Sequence, residues 1–315
     1  MNAPHKPLLT DAARPATFEV EALNEKGEAL PTPIAGEHPL TLYVDKQSLL
    51  TLMTLGAAPE ALAIGYLRNQ RLVDRIEDIV SVQVDWDTNA VAIVTRGGLK
   101  DLEGRTAKRT KTTGCGQGTV FGDLMDEIDR LSLPAGATLT RAALYDLLDR
   151  VRLHETIYKQ SGAVHGCGLA TNAGQSSEIL MFVEDVGRHN AVDAIAGRMW
   201  LDRLDGGDKV FYTTGRLTSE MVIKCAQMGI PFLVSRSGLT QMGHDIPNLL
   251  GVDPSLFDEK LAAAVPDYPQ MGRGTTDPNA PDETLPKNSL PMVGGQAGFG
   301  YVTMGGMVTV LKVRD

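Results

Sequence analysis

Ile179-Leu180-Met181-Phe182-Val183-Glu184-Asp185-Val186-Gly187-Arg188-His189-Asn190-Ala191 passes from an unbroken apolar run, through a polar cluster, into helical periodicity. Ile179 to Val183 reads as a strand buried on both faces, because no polar residue alternates with the apolar ones. Ala191 to Leu204 then reads as a helix. The alternation repeats downstream, with a strand at Lys209 to Thr213, a helix at Thr218 to Met228 capped by Gly229, and a strand at Pro231 to Ser235. Strands and helices in turn, with short links, predict an α/β fold with a largely parallel sheet covered on both faces.

In an open sheet of this kind, ligands bind beyond the carboxyl ends of the strands. The three strand ends carry Glu184 to Asn190, then Thr214-Gly215-Arg216, then Arg236-Ser237-Gly238. Arg188 and Arg216 offer forked donors to phosphate, Gly187 and Gly215 let an anion approach the backbone, and the next helices add N-terminal N–H groups. Asp185 can accept from a purine edge. The same residues also suit a purely structural task, in which Asp185, Arg188 and Asn190 cap the helix and pair among themselves. Capping and binding are compatible, and three polar clusters on one rim point to a phosphate-bearing ligand.

Ser161 to Leu169 is a glycine-flanked stretch placed before this sheet. Its His165 can serve as acid, base or ligand, or simply be hydrogen-bonded at the start of a strand. His165, Cys167 and Cys115 raise the question of zinc, but the H-x-E and P-C-x-x-C pattern of zinc deaminases is absent, so no metal site is expected. Cys225 has apolar helical neighbours and reads as core.

A second chemical feature is Thr112-Thr113-Gly114-Cys115-Gly116-Gln117-Gly118. The glycines give the sulfur nothing to pack against, and Leu124, Ile128 and Leu131 place a helix just downstream. A helix N-terminus and the cations Arg96, Lys100, Arg105, Lys108, Arg109 and Lys111 both favour a thiolate, so Cys115 is the candidate nucleophile. The alternative is a solvated basic loop with an incidental cysteine.

Outward from these features, residues 1–17 are expected to be a flexible tail and 18–111 a small, self-contained α+β domain. That domain holds strands at Phe18 to Val20 and Leu40 to Val44, and a helix from Pro59 with Leu62 and Tyr66 in its buried stripe. A hairpin joins Ile79–Val84 to Ala90–Val94. Residues 112–139 are the cysteine loop and a connecting helix, and 140–253 the larger α/β domain. A proline-rich insertion follows at 254–298, and 299–315 supply a closing strand.

The chain has 315 residues, 43% of them hydrophobic, enough for a substantial core. A net charge of -9 argues against a broad nucleic-acid surface. Three cysteines without a C-x-x-C pair fit a reducing compartment. Neither a leader nor a membrane span is legible, so a cytoplasmic protein with no membrane partner is expected.

The chain resembles the formate dehydrogenase accessory sulfurtransferase family, FdhD. The resemblance rests on Pro59-Glu60 through Gly65-Tyr66-Leu67, Thr113-Gly114-Cys115-Gly116, Gly162-Ala163-Val164-His165, Glu184 to Ala191, Gly215-Arg216, Ser219-Glu220-Met221-Val222 and Gly229-Ile230-Pro231. It implies a larger domain with a cytidine deaminase-like α/β/α sandwich, and a homodimer. It also implies a sulfurtransferase whose Cys115 takes persulfide sulfur from a cysteine desulfurase. That sulfur would go to the molybdenum or tungsten of a bis-molybdopterin guanine dinucleotide cofactor, for formate dehydrogenase. His165, Asp185, Gly187, Arg188, His189, Asn190, Thr214, Gly215, Arg216 and Ser237, with Tyr301, Val302, Thr303, Met304, Gly305 and Gly306, would bind that cofactor. The family loop usually reads C-G-x-C, whereas Gly118 stands at the second position here, and the arginines of the family's closing motif are missing from Tyr301 to Gly306. Two other readings stay open: a cofactor-binding chaperone without sulfur transfer, and a nucleotide-processing enzyme using His165 or His189 as acid or base.

Overall fold

The structure, a computed structural model, describes residues 6–24, 26–98, 133–134, 136–154, 156–215 and 217–235, together with the backbone of 110–111, 118–119, 295–297 and 300–302. The first sheet contains β1 (Leu8–Leu9), β4 (His38–Val44), β5 (Gln47–Thr54), β6 (Ile79–Asp85) and β7 (Ala90–Thr95), in the order β1-β6-β7-β4-β5. β2 (Thr17–Leu23) and β3 (Ala29–Ala35) form a separate antiparallel ribbon. Helix α1 (Pro59–Asn69) lies on the five-stranded sheet, with Leu62, Ile64 and Leu67 in one core with Leu40, Leu42, Val82 and Ile93.

Two expectations for this region are corrected. Residues 6–17 are not a free tail: Leu8 and Leu9 pair in parallel with Ser81 and Val82. The Ala12 N–H donates to Glu60 Oε1 (2.8 Å), Trp86 Nε1 donates to the Ala12 carbonyl (2.6 Å), and the Arg14 guanidinium lies 4.7 Å from the Trp86 ring centroid. These partners are 48 and 74 residues away in the chain, so local composition carries no sign of them. Nor is the region self-contained. α1 is buried nearly all round, and its second side packs on a helix from the larger sheet, with residues 1–243 forming one compact unit.

That larger sheet contains β10 (His165–Thr171), β11 (Ile179–Asp185), β12 (Lys209–Thr213) and β13 (Phe232–Ser235), ordered β11-β10-β12-β13. It is mixed where a largely parallel sheet is expected. β10 runs antiparallel to both β11 and β12, and only the β12–β13 pairing is parallel. Gly166 and Gly168 hide this central strand from sequence reading, and packing explains them. A Cβ on Gly166 would lie 2.7 Å from Phe182 Cζ, and one on Gly168 3.3 Å from Phe182 Cδ2, so the glycines make room for the ring on the neighbouring strand.

Helices cover both faces. Cys167, Leu169 and Phe211 meet Val192, Ile195 and Met199 of α4 (Arg188–Leu201) and Met221 and Cys225 of α5 (Ser219–Gln227). On the other face Ala170, Val210 and Tyr212 meet Leu147 of α2 (Arg141–Leu153). Thr140 caps α2 by accepting from the Ala143 N–H (3.1 Å). A short helix α3 (Ile157–Ser161) leads into β10, its N-terminal N–H groups at Ile157 and Tyr158 received by the Glu184 carboxylate.

α1 and α4 cross at glycines. A Cβ on Gly65 would fall 1.6 Å from the Asp193 carbonyl oxygen, and one on Gly197 would fall 1.9 Å from that of Ala61. Arg68 Nη1 donates to the Ala196 carbonyl (2.8 Å) and its guanidinium lies 5.2 Å from the Trp200 ring centroid, fixing the rotation of one helix on the other.

β8 (Thr110–Lys111) pairs antiparallel with β9 (Gly118–Thr119) at the two ends of the cysteine stretch; Cys115 itself lies outside the described residues. In the unit 244–315, β14 (Gly295–Ala297) and β15 (Gly300–Val302) form a hairpin that contains the backbone of Tyr301 and Val302. Thr303, Met304, Gly305, Gly306 and most of the proline-rich stretch fall outside the described residues.

Candidate functional site

Because β11 and β12 run the same way on either side of an antiparallel β10, their carboxyl ends share an edge with the start of β10. The carboxyl ends of β11 and β12 therefore share one rim, and His165 stands at the same level as the register partner of Asp185. The Gly166 N–H donates to Thr214 Oγ1 (2.9 Å) and the Thr214 N–H donates back to the Gly166 carbonyl (2.9 Å). The Gly215 N–H donates to Thr213 Oγ1 (3.1 Å), and Ser235 Oγ donates to the Gly215 carbonyl (2.8 Å). His165, Asp185, Gly187, Arg188, His189, Asn190, Thr214 and Gly215 are thus gathered at one edge, whereas Arg216 and Ser237 lie outside the described residues.

Asp185 does not suit the role of purine acceptor in this conformation. Its Oδ1 accepts from the Gly187 N–H (3.1 Å) and Asn190 Nδ2 (2.8 Å), and its Oδ2 from Thr54 Oγ1 (2.5 Å) and the Leu55 N–H (3.2 Å). Four donors fill the lone pairs of a carboxylate that is 5% exposed. Burial raises its pKa above the ordinary carboxylate value, against the pull of the hydrogen bonds from Thr54 and Asn190. Asn190 also donates to the Met53 carbonyl (2.7 Å). Asp185 and Asn190 together clamp the end of β5 to the turn that starts α4. Thr54 and Leu55 are partners that sequence reading misses, because they lie about 130 residues upstream.

Arg188 is different. It opens α4, is 5% exposed, and its Nε has no hydrogen-bond partner among the described residues. Its stem runs over Gly215, where a Cβ would come within 2.7 Å of Arg188 Cδ. A buried guanidinium nitrogen without a partner is costly unless an acceptor completes it.

His189 lies between the first turns of α4 and α5, with Nε2 3.4 Å from Glu220 Oε2 and 3.5 Å from Thr218 Oγ1. Burial lowers its pKa to about 4, with Lys224, Arg188 and His165 acting in the same direction and Glu220 opposing. The ring is therefore neutral near pH 7.

Cys167 and Cys225 are inert by the same physics. Burial pushes the Cys167 thiol to about 12, although Thr213 Oγ1 lies 3.4 Å from its sulfur, and burial raises Cys225 well above the ordinary thiol value. No group of three or more His, Cys, Asp or Glu placed to hold a metal occurs among the described residues. No helix among them is long and apolar enough to cross a membrane.

Two sheets joined by a helix crossing, with a polar rim at the strand ends of the larger one, define a mixed α/β protein. Comparison gives the particular family. The profile of the FdhD/NarQ family matches residues 35–253, and the chain belongs to that family. The sulfur carrier protein FdhD of Wolinella succinogenes is 29% identical over 216 residues, covering 69% of this chain and 74% of that one. Its namesake in Listeria monocytogenes serotype 4b is 27% identical over 227 residues, covering 71% and 85%. Among solved structures, a protein described as a formate dehydrogenase accessory protein from Desulfotalea psychrophila superposes with a TM-score of 0.56 at 25% identity. That match covers 72% of this chain and 86% of the other.

Proposed function

We propose that this chain is a sulfur carrier in the maturation of a formate dehydrogenase, with Cys115 as the carrying thiol. The observation that carries the reading is the state of the three cysteines: Cys167 and Cys225 are buried with raised pKa, which leaves Cys115, among glycines, as the nucleophile. The names of the relatives support sulfur transfer and a formate dehydrogenase client. Cys115 thiolate attacks the outer sulfur of a cysteine desulfurase persulfide, the donor S–S bond breaks, the donor cysteine leaves as thiolate, and Cys115 holds the persulfide.

The substrate that receives this sulfur is a bis-molybdopterin guanine dinucleotide. Its phosphates suit Arg188 Nε, which has no partner among the described residues, and the N-terminus of α4. Asp185 is spent inside the fold, so the guanine edge would be met by other rim groups, with His165 and His189 as side chains of suitable chemistry. A cytoplasmic homodimer completes this reading.

Gly118, standing where the family's second loop cysteine is usual, favours a second reading: a chaperone that holds the cofactor and transfers no sulfur. Intact-mass measurement after incubation with a cysteine desulfurase and cysteine separates the two. The carrier gains one sulfur and Cys115→Ala gains none, whereas an unchanged wild-type mass leaves the chaperone.

A further inference from the structure

A chain of polar side chains runs, buried, from the α1–α4 crossing to the rim. Asn69 Nδ2 donates to Asp193 Oδ1 (2.7 Å), and Lys224 Nζ donates to Asp193 Oδ2 (2.9 Å) while lying 3.1 Å from Glu220 Oε1. The other oxygen of Glu220 faces His189 Nε2. Exposure rises only from 0% at Asn69 to 8% at His189 along this path. Burial works against the Lys224 charge, but Asp193 and Glu220 outweigh it and raise the pKa, so the ammonium is retained. Burial raises the pKa of Asp193 while Lys224 pulls it down.

Helix packing alone does not call for such a chain, since apolar residues of similar volume hold helices together at least as well as a buried ion pair. What apolar residues lack is the power to select one face of an imidazole. A carboxylate only accepts, so the ring proton of a neutral His189 belongs on Nε2, facing Glu220; the other tautomer would set a lone pair against the carboxylate. Nδ1 is then the acceptor, and it has no partner among the described residues.

We propose that Glu220, pinned by Lys224 and Asp193, is a positioning residue that holds His189 in the Nε2–H tautomer, so that Nδ1 accepts a hydrogen bond from the nucleotide bound at the rim. The ligand half of this proposal rests on the nucleotide reading given above; the orienting half does not. The charged and titratable groups that face His189 are Glu220 and Lys224 from α5, Arg188 from its own helix and His165 from β10.

The test uses the full chain labelled with ¹⁵N-histidine. At pH 7 the ¹H–¹⁵N spectrum of His189 should show a protonated Nε2 and an unprotonated Nδ1. Glu220→Met leaves Lys224 and Asp193 as a balanced pair; it should give a mixed tautomer and weaken GDP binding, by calorimetry, about tenfold. Glu220→Gln keeps its single oxygen on Lys224 and turns its amide N–H toward Nε2, so it should invert the tautomer to Nδ1–H and weaken GDP binding as Glu220→Met does. A wild-type Nδ1–H tautomer, or a Glu220→Met spectrum like wild type, overturns the proposal. That first result needs no variant, so it stands whether or not Glu220→Met folds. Failure of wild type to bind GDP removes the nucleotide reading of the rim and the ligand half with it, while the spectrum still decides the orienting role.

Discussion

Gly65 of α1 and Gly197 of α4 meet where the two helices cross, so closely that a Cβ on Gly65 would lie 2.7 Å from the Gly197 backbone nitrogen. The clash is with backbone, which cannot swing aside as a side-chain tip can. Gly65→Ala or Gly197→Ala should cost at least the upper end of the ~1–3 kcal/mol typical of overpacking. Gly97→Ala, where a Cβ meets nothing within 4 Å, should change stability by less than about 0.5 kcal/mol. Urea unfolding midpoints of the three variants check this, and equal midpoints would refute the close crossing.

The Asp185 clamp has a different signature. Thr54→Val deletes one buried donor to a charged acceptor and should destabilise by about 2 kcal/mol. Asp185→Asn should cost more, because its amide turns a donor toward the donors of Gly187 and Asn190 or of Thr54 and Leu55. Hydrogen exchange at Leu55 and Gly187 should quicken in both variants before any other backbone site of the unit.

His189 sets an acid limit. Its folded pKa of about 4 lies below the ordinary histidine value of 6.5, so on acidification the unfolded chain takes up the proton first. The stabilisation is whole above the unfolded value and is lost as pH falls toward 4. Between pH 7 and pH 5 this amounts to about 2 kcal/mol. Asp185 and Asp193, with raised pKa, act in the opposite sense at the acid end of that window. Unfolding curves at pH 7 and 5 should therefore converge in His189→Asn relative to wild type; an unchanged difference would refute the buried neutral imidazole.

Alkylation should count the cysteines. Brief iodoacetamide treatment of native protein at pH 7.5 should modify Cys115 alone, because Cys167 and Cys225 are buried with raised pKa, and unfolding should expose all three. Native labelling of Cys167 or Cys225, read by peptide mapping, would remove the basis for choosing Cys115.

The larger sheet was legible wherever local pattern suffices. Ile179 to Val183 and Lys209 to Thr213 are strands, and the helices after them fall where the periodicity places them. β10 was not legible as a central strand, since Gly166 and Gly168 give it no β propensity and owe their presence to Phe182 on another strand. The rim residues could be named from strand ends, but the division of labour among them could not. That Asp185 is consumed by Thr54 and Leu55, while Arg188 Nε has no partner among the described residues, depends on which distant segment each side chain meets. The Glu220–Lys224 spacing, four residues apart on an otherwise apolar helix, was a usable sign that charge is buried there.

The all-round burial of α1 has a consequence for how the protein is made. On the ribosome the first sheet and its helix are complete at Thr95, about 90 residues before α4 begins at Arg188. At ~5–20 residues per second that is a wait of roughly 5–19 seconds. Throughout it, the glycine face of α1 around Gly65 and the side chains beside it have no cover. The nascent chain thus presents an apolar helix face for a trigger-type holdase to shield, and a stalled or truncated product ending before residue 188 should be cleared by proteolysis instead of accumulating as a folded fragment.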